Sequence, residues 1–562
     1  MNRTALLVAA VIATASVARA ASAQTPTSAA AKPPFRDVTR DAGITFQHHA
    51  APEKKYIVES MSGGVALFDF DNDGLLDIYF VDSLTVETAA DPKAARSALY
   101  RNLGHFKFED VTDRAGVGHP GWGMGVCTAD VDGDGWEDIY VTNLGPNTLY
   151  RNKGDGTFAD VTETAGVAGG GWSAGCGFAD YDRDGDLDLF VSRYVKIDLA
   201  NLPQFGKDKT CEYRGIAVQC GPRGLPGEGD FLFRNEGNGR FTEVGKAAGV
   251  SDPREYFGLG IAWLDFNDDG WPDLYVANDS TANFLYVNQK DGTFKDQAFP
   301  LGVAVSEDGS EQGSMGVALG DYTNTGKFAI YVTNFAEEYN NLFRNEGTHF
   351  VEAAFRSRTG PVSLPFVGWG NAFLDYDNNG WLDMVAVNGH VYPQLDKARL
   401  GASAGYRQRK LFYENRGDGT FDEVAAKFGA VFTEERVSRG LAIGDLDNDG
   451  RIDIVVNDLD GTPQVLHNEV AGAGNWILVK LKGTGKNAGA IGAVVKVKAG
   501  ALAMTRLVQS GTSYISQDDK RQHFGLGGAT EVDVIEVLWP DGTTTRQERV
   551  KANQIVEIVQ GK

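Results

Sequence analysis

Apolar residues along this chain come in short runs, each closed by a turn signal, and the runs recur in a unit repeated about every 50 to 85 residues. Each unit has four parts. The first is Gly-rich, as in "GGVALFD" (63–69), and the second follows an acidic loop, as in "DIYFV" (77–81). The third is "ALYRN" (98–102), matched by "TLYRN" at 148, "FLFRN" at 231, "FLYVN" at 284, "NLFRN" at 341 and "LFYEN" at 411. The fourth is "FEDVT" (108–112), matched by "FADVT" at 158, "FTEVG" at 241 and "FDEVA" at 421. β-Branched and aromatic residues dominate these runs, and tight turns such as "GDGT" (154–157) join the third to the fourth, so each part reads as a strand. Four antiparallel strands occurring seven times predict an all-β chain built on a seven-bladed β-propeller over 34–470, with the Gly-rich first strands at the crowded axis. The seventh unit stops at "QVLHN" (464–468) without a fourth strand, whereas "FRDVTRDAGI" (35–44) matches "FEDVTDRAGV" (108–117). The N-terminal segment is therefore expected to complete the last blade, which leaves no open edge. A smaller β-rich domain is expected over 475–562.

The polar positions are as regular as the apolar ones. Between first and second strands runs D-x-[DN]-x-[DN]-G-x-x-D, with carboxylates or amides at Asp69, Asp71, Asp73 and Asp77; Asp130, Asp132, Asp134 and Asp138; Asp180, Asp182, Asp184 and Asp188. It returns at Asp265, Asn267, Asp269 and Asp273; Asp375, Asp377, Asn379 and Asp383; Asp445, Asp447, Asp449 and Asp453. Like charges this close repel. A cation at the centre of a curled loop removes that repulsion: positions 1, 3, 5 and 9 point inward, Gly at position 6 permits the turn, and a position-7 carbonyl with water completes the six to eight oxygens Ca2+ takes. About six Ca2+ ions are expected. An EF-hand would need Glu at position 12 and flanking helices; position 12 here is Phe80, Val141, Val191, Val276, Ala386 and Val456, inside strands. A further copy begins at Asp321 but has Thr323, Thr325 and Ala329 at the other ligand positions, and is expected to hold no ion.

Composition narrows the function classes. With 53 basic and 76 acidic residues the net charge is −23, much of it in the loops, which argues against nucleic acid as a partner. Residues 1–23 carry Arg3, an apolar stretch and the small-residue sites "ARA" and "ASA", which predict a signal peptide followed by a flexible linker over 24–33. No later stretch is apolar for long enough to span a membrane. An exported protein is expected: periplasmic, cell-surface or extracellular. Cys211 and Cys220 close the short loop "CEYRGIAVQC" and are expected to form a disulfide; Cys127 and Cys176 sit in apolar strands and read as buried packing residues.

The acidic loops within "LYRNxGDGTFxDVT" units resemble the FG-GAP or VCBS repeats of integrin α-chain propellers. "NWILVKLKGT" (475–484), "AIGAVVKV" (490–497), "SYISQDDKRQHFGLG" (513–527) and "IEVLWPDG" (535–542) resemble the ASPIC/UnbV domain. The combination is similar to the cartilage acidic protein family, which implies a secreted calcium-binding propeller. The expected role is a binding or adhesion module for an extracellular or envelope protein or a glycan. The alternative is an extracytoplasmic propeller enzyme, quinone-dependent dehydrogenase-like or glycan-acting. No H-E-x-x-H or phosphate-cradling loop supports catalysis, and "RDGD" (183–186) belongs to an acidic loop rather than an R-G-D ligand motif. Alternating strand direction puts the acidic loops on one face and the long segments 194–229, 296–314, 353–368 and 388–410 on the other. Tyr213, Arg214, Arg223, His390, Tyr392 and Arg407 are expected to contribute to a partner surface there. Trp122, Trp172 and Phe257 are expected to ring the axial mouth.

Overall fold

Strand pairing follows the repeat. The computed structural model describes residues 32–207, 210–237, 239–397 and 404–562; the expected signal peptide and most of the expected linker lie outside them. Blade 1 pairs Val65–Phe68, Asp77–Phe80, Ala98–Asn102 and Phe108–Asp110 in that order. Six more four-stranded antiparallel sheets follow, blade 2 opening at Gly123, blade 3 at Ser173, blade 4 at Gly258, blade 5 at Val317, blade 6 at Gly368 and blade 7 at Ser438. Blade 7 is closed from the N-terminus: Phe35 pairs with Asn468 and Asp37 with Leu466. Phe35 is driven home by Phe412, Phe428 and Phe432, whose ring centroids lie 5.4–6.2 Å away.

The C-terminal segment forms two sheets. Asn475–Lys482 lies between Gln522–Gly527 and, in parallel, Gln554–Val559. Leu502–Leu507, Val494–Ala499, Glu531–Leu538 and Thr544–Lys551 make the other. Pro33–Lys562 form a single compact unit, and one buried cluster runs from Cys127, Val131 and Leu189 of blades 2 and 3 into Ile491, Val508, Val537 and Trp539 of the C-terminal sheets.

The axis is not filled by the propeller's own strands. Residues 510–517, from the C-terminal domain, enter it and hydrogen-bond to first strands: Ser513 exchanges backbone bonds with Val317 (2.8 and 2.9 Å), Gln517 with Val65 and Leu67 (2.9 and 3.0 Å), and the Ile515 carbonyl accepts from Val126 (3.1 Å). Glycine is required where this plug passes. A Cβ on Gly125 would stand 2.6 Å from the Ile515 side chain, and one on Gly177 2.5 Å from the Ser510 carbonyl. The first strands are thus small because a foreign segment lies against them as well as because blades converge.

Cys127 and Cys176 correct the reading from sequence. They are not two separate packing residues but a disulfide between the innermost strands of blades 2 and 3, with Cα atoms 5.9 Å apart. Cys211 and Cys220 form the second disulfide.

Candidate metal centres and the face opposite them

Each acidic loop is organised by its own carboxylates before any cation is considered. The position-1 carboxylate accepts from the position-6 Gly N–H, as in Asp69 with Gly74 (3.0 Å), Asp130 with Gly135 (2.7 Å) and Asp445 with Gly450 (2.8 Å). The position-9 Asp is fully buried and ties the start of its loop to the end of the third strand: Asp77 accepts from Phe70 and Asn102 N–H, Asp138 from Val131 and Asn152, Asp273 from Phe266 and Asn288. These bonds leave particular oxygens over. Oδ1 of Asp69, Asp71, Asp132, Asp180 and Asp447 is buried with no hydrogen-bond partner. A buried acceptor left unmet costs about 1–3 kcal/mol, more when charged, so these atoms are what a cation would satisfy.

Oxygens able to ligate a metal converge in these loops. Asp69, Asp71 and Asp77 each offer one within 4.8 Å of the others, and so do Asp130, Asp132 and Asp138; Asp180, Asp182 and Asp188; Asp375, Asp377 and Asp383. In blade 7 the group is Asp447, Asp449 and His467. His467 stands where other blades carry Arg101 or Arg151, and its Nδ1 lies 3.1 Å from Asp453 Oδ1. The residue set fits a hard divalent cation held by oxygen. Burial raises the carboxyls, with mutual repulsion adding to it: Asp130 is pushed to about 6, Asp180 to about 7, Asp273 and Asp445 to about 8. The copy at Asp321 is built differently. Its carboxylate accepts from Thr325 and Gly326 N–H (2.9 and 2.7 Å) and the Thr323 and Thr325 hydroxyls pair at 3.0 Å, so the turn is closed without further carboxylates.

One set of residues carries the ring without having been singled out from sequence: the Asn ending each third strand. Asn102 Nδ2 donates to Leu76 and Leu446 carbonyls, Asn152 to Phe70 and Glu137, Asn235 to Val131 and Leu187, Asn468 to Tyr376 and Ile452. Each Asn therefore ties its own loop to an acidic loop of another blade. The constant N in "LYRN", "FLFRN" and "QVLHN" was the available signal.

The C-terminal domain covers the loop face. Lys480 Nζ lies 3.5 Å from Asp69 and Lys486 Nζ 2.8 Å from Asp186. Arg521 donates to the Asp445 carbonyl and the Asn448 side chain, and the backbones of Gly474 and Gly527 bond to Asp377 and Asn378. The loops of blades 6 and 7 are a dock as well as candidate metal sites.

On the opposite face the expected partner surface is not formed as a set. The hairpin Cys211–Tyr213/Ile216–Val218, inserted in blade 3, crosses the axial mouth to blades 5 and 6: Gln219 donates to the Val391 carbonyl (2.8 Å), and Tyr213 packs on Phe335, His390 and Tyr392. His390 is 1% exposed and Tyr392 9% exposed, so neither lies open on the outer surface. Burial holds His390 neutral, down to about 3. Tyr213 is half-buried; Arg214, Arg223 and Arg407 stay exposed, with Arg214 paired to Glu337 at 2.7 Å. Trp122, Trp172 and Phe257 do gather on this side, but as a buried cluster with Trp369 and the plug residues Tyr514 and Ile515.

Comparison with known proteins agrees with this architecture. The FG-GAP-like repeat model matches residues 69–141, 130–191, 224–276, 265–332 and 402–456, just over half of the chain. The chain belongs to the FG-GAP-like repeat family. Residues 483–562 match the ASPIC and UnbV model. Cartilage acidic protein 1 of Homo sapiens is 28% identical over 56% of this chain and 46% of its own length; that of Xenopus tropicalis is 27% identical over 85% and 70%. The aligned part of this FG-GAP chain thus spans about half of the human relative. Among solved structures, an Agrocybe aegerita lectin specific for non-reducing terminal N-acetylglucosamine aligns with a TM-score of 0.37 at 17% identity, covering 75% of this chain and 89% of the lectin. The exotype rhamnogalacturonan lyase YesX aligns with a TM-score of 0.27 at 13% identity, covering 74% and 91%. At these scores neither likeness bears on what the chain binds. Among the described residues no helix is long and apolar enough to cross a membrane.

Proposed function

We propose that the chain is a calcium-loaded β-propeller that works outside the cytoplasm as a binding module, not as an enzyme. The observation that carries the reading is the convergence of carboxylate oxygens in loop after loop around the ring, several of them buried without a partner. Bound Ca2+ would neutralise those carboxylates and fix the connection between first and second strands; Asp69, Asp71, Asp73 and Asp77, and their counterparts, would hold it. About six ions are expected, one for each loop with the full ligand pattern, and none at Asp321. Two disulfides support an oxidising compartment, as do relatives named for cartilage. The acidic clusters that recur around the ring are spent as ligands in this reading, which favours binding over turnover. The ligand-contacting face is the one opposite the loops, because the loop face is covered by the C-terminal domain.

Elemental analysis of the gel-filtered protein should find about six calcium ions per chain, with anomalous density absent beside Asp321. Two ions or fewer, or a melting temperature unmoved by excess chelator, would overturn this function.

A further inference from the structure

The hairpin that crosses the axial mouth leaves a cavity of about 370 Å3 beneath its disulfide. Its walls are apolar, with Met61, Met315, Phe335 and Tyr392 among the lining residues. Three acidic residues line it, Glu212 of the exposed hairpin and the less exposed Asp279 and Glu338. Asp279 accepts from the Tyr194 hydroxyl (2.6 Å) and the Ser280 hydroxyl (2.9 Å), and Glu338 Oε2 accepts from Gly313 N–H (2.7 Å). The two carboxylates are neighbours beside Gly313, where a Cβ would lie 3.0 Å from Asp279 Oδ1 and 3.6 Å from Glu338 Oε2. The Glu338 carboxylate also takes a backbone hydrogen bond from Phe335. Arg223 also lines the cavity; its Nε donates to the Ser280 carbonyl at 3.3 Å, and its positive charge acts on both carboxylates, so a bound cation would share them with it.

This arrangement selects among ligand chemistries. A hard metal ion would find walls of Met and Phe, and in Asp279 and Glu338 carboxylates that already accept hydrogen bonds, too few free oxygens for its shell. A sugar ring needs an open aromatic face, and the rings here are closed: Tyr194 and Trp369 are each 1% exposed, and the face of Trp369 already carries the Arg439 guanidinium at 4.0 Å. What fits is a single positive charge on an apolar body, the charge between the carboxylates and the body against Met and Phe. A second compartment of about 250 Å3, lined by Tyr56, Leu202 and Phe205 with Lys55 Nζ 4.2 Å over the Phe205 ring, shares the Cys220–Arg223 wall and offers further apolar room to the ligand's uncharged body.

We propose that this cavity binds an organic cation, an ammonium or guanidinium on an apolar body, with Asp279 and Glu338 taking the charge. The proposal rests on the reading of this face as the recognition face and names its ligand chemistry. A free amine and a basic side chain of a protein share that chemistry. The test uses the calcium-loaded full chain, titrated calorimetrically with 4-phenylbutylamine, with the neutral isostere 4-phenylbutanol, and with the peptide acetyl-Leu-Leu-Arg-amide. The variants Asp279→Asn and Glu338→Gln, alone and combined, keep the acceptors for Tyr194 and Gly313 while removing charge. Binding of the amine or the peptide at least tenfold tighter than the alcohol, and at least tenfold weaker in the double variant, supports the site; the tighter of the two names the source. Equal affinity for amine and alcohol, no binding of either cation, or a double variant that binds like wild type overturns it. A flat titration in a protein whose melt still falls on chelation removes this ligand and leaves the calcium-loaded propeller standing.

Discussion

Without calcium, stability should fall as pH rises from 6.5 to 8.5, the reverse of acid denaturation. Asp273 and Asp445 are held to about 8 and Asp180 to about 7, chiefly by burial, against about 3.9 in an unfolded chain. A carboxyl raised on folding binds its proton more tightly in the native state. Its stabilising effect is present at low pH and is lost as pH climbs through the folded value. At 1.36 kcal/mol per pKa unit, Asp273 and Asp445 each forfeit about 2 kcal/mol between pH 6.5 and 8 and Asp180 about 1 kcal/mol more, some 5 kcal/mol together. That rivals the whole stability of a typical domain, about 5–15 kcal/mol. The window avoids more acid pH, where buried His48, His119 and His523, held neutral down to about 4, act in the opposite direction. Calcium should flatten the slope, because it holds the carboxylates ionised, and a site at a hundred times its dissociation constant adds about 2.7 kcal/mol. Glu338 and Asp518, raised to about 7 outside the loops, account for a residual slope. The assay is scanning calorimetry of chelator-stripped and calcium-saturated protein across this pH range. A stripped protein whose melt is flat or rises with pH refutes the reasoning.

Three further outcomes follow from particular contacts. Asn235→Ala should destabilise by about 2–4 kcal/mol, since it strands the buried Val131 and Leu187 carbonyls and severs a tie between acidic loops; urea unfolding measures it. Opening Cys127–Cys176, which are 49 residues apart, should cost about 4 kcal/mol by the chain-entropy model, against about 3 kcal/mol for Cys211–Cys220, 9 apart; paired Cys→Ser variants melted side by side give the order. A chain ended at 470 should lose the cooperative melt of the full protein, because the axial segment 510–517 and its bonds to Val65, Val126 and Val317 are gone; a truncated propeller as stable as the whole would show the plug to be dispensable.

The propeller was legible because its signals are local. Strand alternation, the "GDG" turns and the acidic loops each act within a dozen residues, so repetition alone set blade number, loop positions and the closing strand at Phe35–Asp37. The pairing of Cys127 with Cys176 was not, since it depends on two first strands meeting at the axis, and neither run differs from an ordinary apolar strand. His390 and Tyr392 looked like loop residues open to solvent. An insertion from blade 3 comes down over them, and burial by a distant segment leaves no mark in the neighbouring sequence. The axial plug is the clearest division. The glycines of the first strands announced a close approach, but only the tertiary structure decided that what approaches is residues 510–517 of the C-terminal domain, because a backbone filling a channel is specified by the channel's shape and by unpaired N–H and C=O groups on both sides rather than by any periodicity of its own.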